Sequence, residues 1–350
     1  MPPIPGRLML PTFRPRATIV LATLFLLPAS ACAPEGGPSG QAGGDEGSAE
    51  AASPSAAGPA PAERCGELAS TLGSPGTTAG DVCKVTFPRA DLEVALRGAT
   101  LPPGMGMTSW AAFGPAGERG AIVMGDLALT SDELPAVMAG LREHGIRVTA
   151  VHRHMLGESP TMSYMHYLGV GPADSLAAAL DAALRRAPSA RGAAREGVSG
   201  PPAAATTGEA GRVAGTSCES LARTLGTDPA AIAAGPGYCK VSRPRTDLDV
   251  TVEGIPVPAS MGVGSWFAFR ETAGGDAAVV TGDMALTQEQ VNPAIRALRE
   301  ESVEVVALHN HMLHDEPRVM FFHFQARGAP AELAGGLRAG LEAAGLVGGG

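Results

Sequence analysis

One ordered series of motifs runs through this sequence twice, and any fold the chain adopts has to accommodate both copies. The first series begins with Cys83-Lys84-Val85 and Pro88-Arg89-Ala90-Asp91-Leu92. It continues through Met105, Ser109-Trp110 and Phe113 to Gly125-Asp126. It ends in Val151-His152-Arg153-His154-Met155-Leu156, a Gly157-Glu158-Ser159-Pro160 turn and Met162-Ser163-Tyr164-Met165-His166-Tyr167. The second series is Cys239-Lys240-Val241, Pro244-Arg245-Thr246-Asp247-Leu248, Met261 through Ser265-Trp266 and Phe269, then Gly282-Asp283. It closes with Leu308-His309-Asn310-His311-Met312-Leu313, a turn holding Asp315, Glu316 and Pro317, and Val319-Met320-Phe321-Phe322-His323-Phe324. His309 follows His152 by 157 positions, and His311 and His323 follow His154 and His166 by the same interval. This is a tandem duplication of a domain of about 120 residues, a size that supports its own core. Two copies are too few for a solenoid.

Within one copy, residues 67–72 read as a short helix, and 92–96, 109–113 and 121–124 as strands. Thr130-Ser131-Asp132-Glu133 is a capping box, with Leu134, Val137, Met138 and Leu141 following at helical spacing until Gly145 closes the helix. Thr287 with Gln290 repeats the box. Residues 147–156 and 162–170 form a hairpin, and 173–184 a last helix. The fold class is therefore α+β: a two-layer domain, tandemly duplicated, with a mainly antiparallel sheet covered by helices.

The ends of the chain and the stretch between the copies have a different character. Arg7, Arg14 and Arg16 precede an apolar run over 17–27 that is too short to span a bilayer, so residues 1–31 read as a secretory signal. Its end, Ala29-Ser30-Ala31-Cys32, resembles a bacterial lipobox, in which Cys32 would be lipidated and become the mature N-terminus. An ordinary signal peptide cut after Ala31 is the alternative. Residues 32–62 are almost wholly Ala, Gly, Pro, Ser and Glu, a composition that buries no core and makes a tether reaching roughly 30 Å. The repeats then occupy 63–187 and 217–347, with a linker over 188–216. Four cysteines remain, Cys65, Cys83, Cys218 and Cys239, which allow three connectivities. Pairing within each repeat closes the shorter loops and suits an oxidising compartment. The expected location is the cell membrane or outer membrane, lipid-anchored and facing the periplasm or cell exterior.

The histidines carry the chemistry. If the loop 157–161 is symmetric, His152 faces His166 directly and His154 lies two residues along on the same face; His309, His323 and His311 repeat the arrangement. Each copy then presents its own three-imidazole pocket, beside Tyr164 in one and Phe321 in the other. Neutral imidazoles suit zinc, copper, iron or manganese, with Asp126 and Asp283 as carboxylates within reach. The alternatives are histidines bonded to backbone inside the fold and turn aspartates that hold their own chain. Glu158 and Asp315 sit in the turns as further ligands, general bases or merely solvated acids. Lys84 and Arg89, with Lys240 and Arg245, form a candidate site for a small anion, or the arginines pair with Asp91 and Asp247. Met155 and Met312 read as core, and Trp110 and Trp266 as packing anchors. No phosphate-binding loop, dinucleotide fingerprint, nucleophile elbow or zinc-protease helix is present. A net charge of −9 argues against a nucleic-acid partner.

The series Lys-Val, Pro-Arg-x-Asp-Leu, Ser-Trp-x-x-Phe, Gly-Asp and His-x-His-Met-Leu, with its proline turn and final His, resembles the LppY/LpqO family of bacterial lipoproteins, a domain of unknown function. Both halves match, over about 65–187 and 218–347. The resemblance implies an exported lipoprotein and supplies no reaction. Arg153 stands where the second copy has Asn310, and Gly157 where it has His314, so the two copies need not be equivalent. The functional expectation is an envelope protein with a three-histidine pocket per repeat that binds a transition metal or a small anion. A metal-dependent hydrolase or oxygen-using enzyme and a metal-free interaction module are the alternatives.

Overall fold

The computed structural model describes residues 59–192 and 211–348. The signal segment, Cys32 and most of the tether lie outside the described residues, as does the middle of the segment between the repeats. The first repeat contains α1 (Cys65–Leu72), β1 (Gly76–Ala79), β2 (Val82–Pro88), β3 (Val94–Leu96), β4 (Ala99–Leu101), β5 (Thr108–Pro115), β6 (Ala121–Thr130), α2 (Leu134–Glu143), β7 (Arg147–His152), β8 (Met162–Gly171) and α3 (Ala173–Leu184). A short hairpin, β9 (Arg212–Val213) and β10 (Thr216–Ser217), leads into α4 (Cys218–Thr224), β11 (Ile232–Gly235), β12 (Tyr238–Pro244), β13 (Thr251–Val252), β14 (Ile255–Pro256), β15 (Gly264–Glu271), β16 (Ala278–Thr287), α5 (Gln288–Glu300), β17 (Glu304–His309), β18 (Asp315–Glu316), β19 (Val319–Gly328) and α6 (Pro330–Ala343). Of the expected linker, Pro188–Arg191 forms a 3-10 turn that buries Ala190, and β9 buries Val213, so its described ends are built into the repeats.

Each repeat is a six-stranded antiparallel sheet of one topology, β1-β2-β5-β6-β8-β7 and β11-β12-β15-β16-β19-β17. Alternation sends Cys83, Val85 and Phe87 of β2, Phe113 of β5 and Met165 and Tyr167 of β8 to one face. There they pack with Leu68, Leu72, Val137, Leu141, Leu176 and Leu180 of the three helices. The second repeat builds the same helix-covered core. Disulfides Cys65–Cys83 and Cys218–Cys239 fasten the first helix of each repeat to its sheet, the within-repeat pairing. In the second repeat the capping box is complete, Thr287 and Gln290 reciprocating. In the first, Glu133 still accepts from the Thr130 N–H at 2.8 Å, but the helix begins only at Leu134.

The opposite face of each sheet is covered as well, which the two-layer expectation did not include. β6 and β16 are buried at nine successive positions. Ala112, Ile122, Met124 and Leu168 of the first repeat share a cluster with Val257, Met261, Ala285 and Phe321 of the second. Ala128 and Tyr164 pack with Tyr238, Ala268 and Val279. The order of layers is thus helices, sheet, sheet, helices, and the two repeats belong to one compact unit. Cross-repeat hydrogen bonds bind the sheets: the Thr149 hydroxyl donates to the His311 carbonyl at 2.7 Å, and the Gln325 amide both donates to the Leu156 carbonyl and accepts from its N–H.

The expected strand over 121–124 runs on to Thr130, straight through Gly125-Asp126, and the pairing of β6 with β5 and β8 overrides the low strand preference of those two residues. The glycine has a steric reason. A methyl at Gly282 would overlap the Trp266 carbonyl oxygen and the ring of Phe324, and one at Gly125 the Trp110 carbonyl oxygen and the ring of Tyr167. Gly282→Ala is therefore expected to lower the unfolding free energy by about 2–4 kcal/mol. Gly335→Ala, inside α6 with nothing within 4 Å, is expected to raise it by about 0.5–1 kcal/mol. Urea unfolding of the two variants beside the parent chain checks both signs.

Candidate metal centre

Strand register puts the chemical residues in a row on the sheet face turned away from the helices. Trp110 pairs with Asp126 and Asp126 with His166 across β5, β6 and β8. Trp266, Asp283 and His323 do the same across β15, β16 and β19. The hairpin register differs from the symmetric-loop expectation: His152 faces Tyr164 and Ala150 faces His166, with a bulge between Val148 and Ala150, and His309 faces Phe321. β7 ends at His152, so the connection spans 153–161 rather than 157–161 and His154 lies in it, not on a strand. His154 still reaches the same face, its ring stacked on Tyr164 with centroids 3.3 Å apart, as His311 stacks on Phe321 at 3.3 Å.

The expectation of one pocket per repeat is corrected by the packing of the sheets, which brings all six imidazoles into one cluster. His152 and His309 stack across the interface with centroids 3.8 Å apart. His154 meets His323 and His166 meets His311, each pair at 3.9 Å. His152 Nε2 lies 3.2 Å from His323 Nε2. Asp126 Oδ2 is 3.2 Å from His154 Nε2, and Asp283 Oδ2 is 3.4 Å from His311 Nε2. The cross-contacts are reciprocal, the signature of an approximate two-fold relation.

Three groups of ligand atoms in this cluster lie within 4.8 Å of one another: His152, His166 and His309; His152, His154 and His323; Asp283, His309 and His311. The first two mix histidines of both repeats. Asp126 and Asp283, expected after a strand, are in the middle of β6 and β16. Main-chain carbonyls orient four of the rings. The Nδ1 atoms of His154, His166, His311 and His323 lie 2.9–3.2 Å from the carbonyl oxygens of Gly106, Gly125, Gly262 and Gly282. A ring that donates through Nδ1 turns the Nε2 lone pair toward the centre, the second-shell arrangement of metal-binding histidines. Gly106 and Gly262 serve this role from unpaired loops that the sequence did not single out. The repeat of Met105-Gly106 as Met261-Gly262 was their only signal.

Electrostatics keeps the rings neutral. Burial holds the imidazoles of His154, His166, His309, His311 and His323 well below their ordinary value, neighbouring imidazoles adding to the effect, and burial lowers His152 against the opposing charge of Asp126. Burial, and then the charge of Asp126, holds Asp283 well above the usual carboxylate range. Asp126 Oδ1, His152 Nδ1, His166 Nε2, Asp283 Oδ1 and both nitrogens of His309 are buried with no hydrogen-bond partner among the described residues. Each such atom costs about 1–3 kcal/mol, and a coordinated cation would satisfy those that offer a lone pair, one nitrogen of His309 among them.

The remaining candidates separate by position. Arg89 is buried and spends its N–H groups on Asp91, Glu133 and the Ala128 carbonyl. Arg245 does likewise with Asp247, Gln290 and the Ala285 carbonyl. Glu158 accepts from the Met162 N–H at 3.1 Å and Asp315 from the Val319 N–H at 2.7 Å, so both carboxylates fasten the hairpin turns. The Gly157 and His314 position needs a positive φ in both copies, +82° and +60°, which explains the glycine. Met155 and Met312 are core. Lys84 and Lys240 part from Arg89 and Arg245 and line a cleft of about 740 Å³ between the repeats, which Asp126, His154, His166, Asp283, His311 and His323 line as well.

A family profile described as Domain of Unknown Function (DUF1259) matches the chain twice, over residues 66–186 and 219–343. No curated protein matches. Among solved structures the chain is similar to the trimeric bacterial microcompartment shell protein PduB, at 13% identity over 77% of this chain and 89% of that one, with a TM-score of 0.18. It is also similar to EtuB from Clostridium kluyveri, at 8% identity over 77% and 90%, with a TM-score of 0.19. Likenesses at such TM-scores carry no argument.

The neutral rings make a pH prediction for the metal-stripped protein. Folded-state imidazoles titrate below the ordinary 6.5, so the unfolded chain takes up more protons as pH falls. Stability is fully present above pH 6.5 and is lost below it, by up to about 1.4 kcal/mol per pH unit for each ring held neutral. Asp283 has the opposite sign, contributing more toward acid, but one carboxyl opposes six imidazoles. The urea midpoint is expected to fall steadily from pH 7 to pH 5; a flat profile would mean that the rings accept protons inside the fold.

Proposed function

Because the chain belongs to the family described as Domain of Unknown Function (DUF1259), whose description names no reaction, we propose its function from the site: an exported, lipid-anchored envelope protein whose two repeats jointly hold a transition-metal centre. The observation that carries this reading is the convergence of six neutral imidazoles and two carboxylates, with buried lone pairs left unpaired, on one space between the sheets. Zinc, copper, iron or manganese would suit a donor set of imidazole and carboxylate. The ligand atoms of each group all lie within 4.8 Å of one another, near enough to converge on one ion at bonds of roughly 2 Å. His154, His166, His311 and His323 are oriented by the glycine carbonyls, whereas His152 and His309 stack on one another across the interface.

The export part of the proposal rests on the basic and apolar leader, on the Cys32 motif that would tie the protein to a membrane, and on the two disulfides, which persist in oxidising compartments. The resemblance to the LppY/LpqO lipoproteins belongs to the same reading. One observation favours an enzyme as the second reading: the cleft opens onto the cluster, as a catalytic rather than a closed structural ion requires. A bound ion would there supply Lewis acidity or an activated water for hydrolytic or oxygen-using chemistry. Asp126 and Asp283 would be the carboxylates at hand for proton transfer, since Glu158 faces the hairpin turn.

Every one of the three ligand groups contains His152 or His309. Metal analysis by mass spectrometry of the mature chain is expected to find one to two ions per chain. The His152→Ala/His309→Ala variant is expected to fall to background with its circular dichroism unchanged. Substitutions confined to one repeat would halve the content if each repeat held its own ion; a shared centre predicts a larger loss for His309→Ala/His311→Ala, which breaks two of the three groups. Absence of metal after incubation with all four cations would overturn the proposal.

A further inference from the structure

The chain contains two lysines and two tryptophans in 350 residues, and all four lie in the cleft above the histidine cluster. Arginine supplies every other basic side chain outside histidine, so two lysines at matching positions of the two repeats are a specific choice. Each ammonium lies over a tryptophan of its own repeat: Lys84 Nζ is 4.2 Å from the Trp110 ring centre and Lys240 Nζ 4.6 Å from that of Trp266. The tryptophans are themselves wedged across the interface, Trp110 against Gly262 and Trp266 against Gly106, the two glycines whose carbonyls orient His311 and His154. Lys240 donates to the Gly104 carbonyl at 3.1 Å. Lys84 has no hydrogen-bond partner among the described residues, and no described carboxylate forms an ion pair with either ammonium.

Two cations without counter-ions, set in largely apolar walls, are an unfinished interaction. Burial pushes both ammonium groups down to about 8, the charge of Lys84 adding to the effect on Lys240, so the lysines feel one another across the same space. A compact flexible ammonium serves as a point charge for an oxyanion, where arginine would demand a planar bidentate partner. The volume, about 740 Å³, is in the range of sites for small organic molecules and far exceeds what an inorganic anion fills.

We propose that the cleft binds an organic anion carrying two carboxylates, one held by Lys84 and the other by Lys240, its apolar body resting between Trp110 and Trp266 above the histidine cluster. The inference goes beyond the proposed metal centre and does not require the metal. Such a molecule would pair both ammonium groups in a chamber that His154, His166, His311 and His323 also line.

Because both tryptophans of the chain line the cleft, intrinsic fluorescence reports its occupancy directly. The experiment titrates the mature full-length chain, metal-loaded and metal-stripped, with isophthalate, succinate and citrate as dianionic or trianionic probes, isophthalamide as the uncharged counterpart of the first, and inorganic phosphate. Saturable change with at least one dicarboxylate is expected, with isophthalamide and phosphate at least tenfold weaker. Lys84→Met and Lys240→Met are each expected to weaken binding about tenfold, with thermal melting and metal content as in the parent chain. Equal binding of isophthalate and isophthalamide, parental affinity in the Lys84→Met/Lys240→Met variant, or no saturation with any carboxylate overturns the proposal. Binding retained after metal removal would leave it standing even if the metal reading failed; unchanged metal content with no anion binding would reject it while leaving the metal centre intact.

Discussion

Six imidazoles packed into one buried space are held uncharged, and that constraint organises the molecule. Burial and the neighbouring imidazoles together disfavour a charge on any one ring, against the opposing carboxylate of Asp126. Neutrality is enforced by burial, and burial requires that each sheet have a second face covered. The helices cover one face; the other repeat covers the second. The histidines are therefore the product of the sheet-to-sheet contact as much as of either hairpin, and the polar row Trp–Asp–His on β5, β6 and β8 has no dry environment until its counterpart on β15, β16 and β19 lies across from it.

The same contact explains the arrangement of small residues. Gly125 and Gly282 admit an aromatic ring on the helix side while lending a carbonyl to His166 or His323 on the other; Gly106 and Gly262 hold the remaining ring orientation and seat a tryptophan of the opposite repeat. A glycine in this fold links core packing on one side to imidazole orientation on the other, so the direction of the inward-facing ring nitrogens is set by steric limits at a distance from the centre.

Much of this was legible in the sequence. The duplication, the helix from Ala173 to Leu184, the second capping box, the cysteine pairing and the association of three histidines with an aromatic residue in each hairpin all follow from spacing and residue type. The hairpin register was not legible, because a bulge beside Thr149 and a connection longer than its Gly–Pro core leave no mark in the alternation of side chains. β1 was missed because its residues are all exposed and carry no pattern. The meeting of the two histidine sets was hidden for a deeper reason. A sheet face bearing Lys84, Thr86, Trp110, Asp126 and His166 reads as half-solvated, and only the partner sheet, hundreds of ångströms of chain away in an extended strand, turns it into an interior. The arginines and lysines of each motif look alike in sequence and part in space, the former internal ties of the fold and the latter facing the cleft.

The reciprocal contacts across the interface bear on symmetry breaking. One copy alone carries half of the cluster, so a single-copy chain of this kind could assemble the whole only as a two-fold dimer in which every substitution appears twice. Joining the copies in one polypeptide removes that restriction. Among the residues that line the cleft, Thr108 stands where Gly264 does in the alignment of the repeats, and Arg243 stands where the first repeat has Phe87. The buried Tyr164 hydroxyl has no counterpart in the other half. The fused chain can thus present a bound molecule with two unlike ends, and so distinguish one end of that molecule from the other, which a strictly two-fold dimer cannot do.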